Sequence, residues 1–107
     1  MRQALALHRR SGARAGEAET LNNLGYALRA AGRVRDALTY HQRALALASK
    51  LGFRYEQARA YSGLGQAHQA LGRRDRANHH WQEALDRFTR LGVPEAAEVR
   101  ARPTGRK

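Results

Sequence analysis

The chain contains no cysteine, which excludes disulfides, thiolate metal sites and cysteine nucleophiles. Its two prolines, Pro94 and Pro103, both lie near the C-terminal end. No apolar run approaches the roughly 18 residues needed to span a bilayer. Residues 1–10 are too short and too soon charged for a signal peptide, so a cytoplasmic location is expected. Acids are scarce: nine Asp and Glu stand against 20 Lys and Arg, for a net charge of +11. Aromatic residues make up 7% and apolar residues 42%, so a conventional single core would be thin in 107 residues. Much of the apolar content is alanine, which packs helices closely and has the highest helix propensity. There is no Gly-x-Ser-x-Gly, phosphate loop or dinucleotide fingerprint, and the acids fall mostly on exposed turns. Neither an enzyme nor a cofactor is expected.

What is present is a repeat. Leu24-Gly25-Tyr26-Ala27 returns as Leu64-Gly65-Gln66-Ala67, and Ala30-Ala31-Gly32-Arg33 returns as Ala70-Leu71-Gly72-Arg73. Sliding residues 11–50 onto 51–90 without a gap leaves 13 identities, mostly Ala, Gly or Leu, at a period of 40. Small and apolar residues at fixed spacing are what stacked helical hairpins require, so the period predicts a solenoid.

Four segments carry apolar residues at helical spacing, near 17–31, 34–50, 55–71 and 74–90. The first stripe is Ala18, Leu21, Leu24, Gly25, Leu28 and Ala31. The second is Val34, Ala37, Leu38, His41, Ala44, Leu45 and Ala48. Gly32, Gly52, Gly72 and Gly92 follow the four segments as C-caps. The connections are short, so helices within a pair lie antiparallel.

At the ends, Gln3-Ala4-Leu5 aligns with Arg43-Ala44-Leu45, and Ser11-Gly12 aligns with Leu51-Gly52. This predicts a partial second helix over 1–12, repeats over 13–52 and 53–92, a capping helix over 93–101 and a disordered basic tail over 102–107. A chain starting inside a second helix reads as the C-terminal piece of a longer array. Such a piece is expected to be marginally stable and to self-associate through its N-terminal edge.

Leu24-Gly25, Leu28, Ala37, His41 and Ala44, with Tyr61, Leu64-Gly65, His68, Ala77, Trp81 and Ala84, fall at the spacing of a known signature. The chain resembles the tetratricopeptide repeat family, which implies an all-α fold of antiparallel helical hairpins stacked as a short right-handed solenoid. The usual period is roughly 34 residues, so 40 is similar to the longer-helix kinesin-light-chain-like and MalT-like arrays. Ser49 and Thr89 replace the closing proline of the pattern. Leu21-Asn22-Asn23-Leu24-Gly25 and Leu91-Gly92-Val93-Pro94-Glu95-Ala96 are also similar to C-terminal repeats of actinobacterial SARP-type and NB-ARC-containing transcriptional regulators.

The resemblance implies a protein–protein interaction scaffold whose concave groove is lined by the first helix of each pair. The matching positions are Glu19, Asn22, Asn23, Tyr26 and Arg29, then Arg59, Ser62, Gln66 and Gln69. They fall off the apolar stripe, so they are expected to face water or a partner segment. Asparagine can donate to and accept from a peptide backbone, and Arg29 and Arg59 could pair with acidic side chains.

The cluster His79-His80-Trp81-Gln82-Glu83 lacks the further ligand a zincin site needs, so no metal is expected. His41 and His68 read as core-edge residues. The rival reading is electrostatic nucleic-acid binding through Arg33, Arg35, Arg73, Arg74 and Arg76, which share one rim. It is the weaker one, because the arginines are scattered and stacking aromatics are missing along that rim.

Overall fold

The computed structural model describes residues 2–101, with side chains from residue 12 onward; the tail assigned to 102–107 lies outside them. The described residues contain five helices and no strand: α1 (Arg2–Ala30), α2 (Val34–Leu51), α3 (Arg54–Ala70), α4 (Arg74–Leu91) and α5 (Glu95–Arg100). α1 and α2 form one antiparallel hairpin, α3 and α4 the next, and α3 packs on α2 to join them. No described helix is long and apolar enough to cross a membrane.

Each of the four turns closes in the same way. Gly32, Gly52, Gly72 and Gly92 adopt φ between 68° and 84°, where a Cβ would be strained. The following N–H bonds back to the helix: Arg33 to the Leu28 carbonyl at 2.8 Å, Phe53 to Ala48 at 2.9 Å, Arg73 to His68 at 2.9 Å and Val93 to Phe88 at 3.3 Å. These are Schellman closures, which satisfy carbonyls orphaned at the helix end.

One expected turn is absent. The partial helix predicted over 1–12 and the break at Ser11-Gly12 are replaced by a continuous α1 of 29 residues. A Schellman turn is commonly accompanied by an apolar residue just after the glycine. Phe53 and Val93 fill that position and pack into the core after α2 and α4. Its counterpart after Gly12 is Ala13, which lacks that apolar contact, and the helix continues.

The core is built where alanines cross. Ala37, Ala44, Ala77 and Ala84 are all buried, as the repeat requires. One cluster joins Ala18 and Leu21 of α1, Ala44 and Leu47 of α2 and Ala60 of α3. The next joins Ala58 of α3, Ala77, Trp81, Ala84 and Phe88 of α4 and Val99 of α5. Rings lie against glycines at the closest crossings. A Cβ on Gly65 would overlap Trp81, and one on either Gly25 or Gly63 would overlap His41.

Two members of the predicted stripe on α1 lie in solvent instead. Leu24 and Ala31 are exposed, because among the described residues no helix covers that side of α1. Thr20 and Ala27 share the open face, while their counterparts on α3, Ala60 and Ala67, are buried under α2.

Candidate functional site

The first helices of the two hairpins, α1 and α3, come together with α5 around a cavity of about 200 Å³. Four of the nine expected groove residues line it: Tyr26 from α1 and Arg59, Ser62 and Gln66 from α3. Phe88, Glu95, Glu98 and Val99 complete the wall. Glu19 instead lines a wider cleft of about 540 Å³ between α1 and the start of α3. Asn23 and Gln69 are exposed, and Arg29 is half-buried.

Asn22 and Ser62 do not face water as expected; both are buried. Asn22 Nδ2 donates to the Glu56 carbonyl and to Glu56 Oε1, each at 3.0 Å. Its Oδ1 lies 2.9 Å from His41 Nδ1, and because a carboxamide oxygen only accepts, this nitrogen carries the proton. Asn22 therefore ties α1 to α2 and α3 rather than offering itself to a ligand. The His41 imidazole is pushed down to about 4, first by burial and then by the charges of Arg59 and Arg29. It is therefore neutral at physiological pH.

The network continues to the groove. Arg59 donates from Nη1 to Glu56 Oε1 at 2.9 Å and from Nη2 to Asn23 Oδ1 at 2.7 Å. Tyr26 donates its hydroxyl to the Arg59 carbonyl at 2.9 Å, and the Arg59 guanidinium stands 5.4 Å from the Tyr26 ring centre. Tyr26 meets His41 edge-on at 4.7 Å. Much of the binding capacity of Arg59 is thus spent within the protein. Arg29 is different: among the described residues it makes no hydrogen bond or ion pair, and its Nε is enclosed without a partner.

Sequence reasoning missed Glu56, since the acids are expected on exposed turns, whereas Glu56 is buried. The signal was its place four residues before Ala60, on the small-residue face of α3. The contribution of α5 was also missed. Tyr55 donates its hydroxyl to the Glu95 carboxylate, pinning α5 beside the start of α3. That bond, followed by burial, raises the Tyr55 phenol to about 12.

The histidine cluster holds no site of its own. His68 stacks on His80 with centres 5.1 Å apart, and Glu83 pairs with Arg87. Among the described residues no group of three His, Asp or Glu is placed to hold a metal ion.

Antiparallel hairpins stacked through alanine and glycine crossings, with a groove along their first helices, define an α-helical repeat scaffold. A family model described as tetratricopeptide repeat matches residues 1–50 and 16–90, and the chain belongs to that family. Its repeats are a non-catalytic scaffold that generally mediates protein–protein interaction. No curated protein matches the chain.

Proposed function

We propose that the chain captures a segment of a partner protein along the groove between α1 and α3. The observation that supports this reading is the cavity wall. It sets the half-buried Tyr26 ring beside Gln66 and the charged groups of Arg59, Glu95 and Glu98, over a floor of buried Phe88, Val99 and Ser62. Arg29, on the same helix as Tyr26, has donors committed to nothing else. A concavity in which placed polar and charged groups stand beside an aromatic ring can fix the orientation of a bound segment. Asn22 drops out of the contacting set and acts as support, and Arg59 orients Tyr26.

In this reading the chain is the C-terminal segment of a cytoplasmic regulator built on the longer 40-residue repeat, with units at 13–52 and 53–92. The open face of α1 at Thr20, Leu24 and Ala27 is where copies of the chain would self-associate. Selection of displayed random peptides on the intact chain tests the groove. Selected peptides are expected to lose about tenfold or more in affinity with Arg29→Ala or Gln66→Ala, the scale of an interface hot spot. Gln82→Ala, on the exposed side of α4, should leave them unchanged. Peptides indifferent to both groove variants would remove the groove from the function.

A further inference from the structure

α2 and α4 start at the same edge of the molecule, one repeat apart. Both have an arginine at the N-cap, Arg33 and Arg73, and neither makes a side-chain capping hydrogen bond. That position normally takes Ser, Thr, Asp or Asn, whose oxygen satisfies a free N–H. A cation there also stands at the positive end of the helix dipole, which costs stability. The first turns add Arg35 on α2 and Arg74 and Arg76 on α4, against only Asp36 and Asp75. Asp36 is taken by Arg33. Arg35, Arg73, Arg74 and Arg76 make no ion pair among the described residues.

A second, independent feature lies just behind this edge. His68 ends α3, and its carbonyl accepts the Arg73 N–H at 2.9 Å. The residue is only 6% exposed, and its Nδ1 is enclosed with no hydrogen-bond partner. Its ring stacks on His80, and after burial the groups that hold its imidazole down at about 4 are His80, Arg73 and Arg76. The charge of the edge therefore lies in its surface guanidiniums, and the imidazole behind them is held neutral. The arginines at the starts of α2 and α4 go against local helix preferences, and an anion bound there would relieve their repulsion.

We propose that this arginine edge is a second binding surface, separate from the groove, and that its ligand is the phosphate backbone of duplex nucleic acid. Guanidinium forks match phosphate oxygens bidentately. No Phe, Tyr or Trp occurs within 28–39 or 68–80, so the edge lacks the large rings on which unpaired bases stack. Backbone contact without base reading suits a duplex and predicts binding with little sequence preference.

The test is fluorescence anisotropy of a short labelled duplex DNA titrated with the intact chain over a range of salt. Binding should be tight at about 50 mM salt and weaken steeply by about 200 mM. The triple variant Arg73→Gln, Arg74→Gln, Arg76→Gln should bind roughly tenfold or more weakly, with the log–log salt slope shallower by about 3. Changing the same three positions to lysine should restore the slope, which separates lost charge from lost fold. A control triple of the same charge, Arg43→Gln, Arg54→Gln, Arg100→Gln, lies off the edge and should bind close to the parent. Equal losses in the two glutamine triples, or no binding at low salt, would overturn the proposal. So would preference for anionic phosphatidylserine vesicles over duplex DNA with the same dependence on the edge.

Discussion

Leu24 and Leu64 occupy the same point of two successive repeats, yet Leu24 is 42% exposed and Leu64 is 2% exposed. The difference is a neighbour: α2 packs on the face of α3 that carries Leu64, and among the described residues no helix packs on the corresponding face of α1. Identical side chains in one fold thus carry different stability. Leu64→Ala should cost about 2–4 kcal/mol, the range for truncating a buried leucine. Leu24→Ala should cost less, about 1 kcal/mol, since nearly half of its surface stays in water. Urea unfolding of the two variants side by side measures both; equal costs would mean that α1 is covered in solution.

The glycines divide in the same manner. Gly25 and Gly63 face the His41 ring, and an added Cβ at either would overlap it. Gly63→Ala should therefore destabilise by about 1–3 kcal/mol through overpacking. That loss outweighs the gain of about 1 kcal/mol expected from replacing a helical glycine. Gly12 and Gly16 lie within α1, where an added methyl would meet nothing within 4 Å. At these sites the helix gain stands alone, so Gly16→Ala should stabilise by up to about 1 kcal/mol. Thermal or urea unfolding gives the opposite signs directly.

These residues also show what could be read from the chain without coordinates. Crossing alanines and capping glycines are demanded locally, by helix separation and by φ, so their spacing reveals the hairpins. Asn22 cannot be read that way. Periodicity sends a polar residue outward, whereas Asn22 is satisfied inside by His41, 19 residues away, and Glu56, 34 residues away. The groove positions Tyr26, Arg59 and Gln66 are legible because they repeat on the first helices. Glu95 and Glu98 are not, because α5 has no full counterpart in the period. At Ser11-Gly12 the glycine repeats but the apolar residue that follows Gly52 and Gly92 does not, and α1 runs on through it.

α5 is attached by contacts of two kinds, the packing of Val99 and Ala96 on the core and the Tyr55–Glu95 hydrogen bond. The bond is exposed, so its loss should barely move global stability. Tyr55→Phe is expected to shift the unfolding midpoint by less than about 1 kcal/mol, as for a typical net hydrogen bond. Its effect should appear locally, as faster amide hydrogen exchange over 95–100 with α3 unchanged. Val99→Ala should loosen the same segment further, and unchanged exchange in both variants would refute this account of how α5 is held.

Acid should destabilise the protein through its buried imidazoles. His41 titrates near 4 in the folded chain against 6.5 for the free side chain. Between those values the unfolded chain binds a proton that the folded chain refuses, so stability rises with pH across that interval. The contribution is complete above about pH 6.5, declines as the pH falls towards 4 and is level below. For His41 the loss should be on the order of 3 kcal/mol, at about 1.4 kcal/mol for each pH unit of difference. His68, also held at about 4, adds to it in the same direction. Urea midpoints taken from pH 7.5 to pH 4 should fall steadily. His41→Gln, which can still donate an amide N–H towards Asn22 but does not titrate, should flatten that slope. A parent chain equally stable at both ends of the range would show that His41 is open to water in solution.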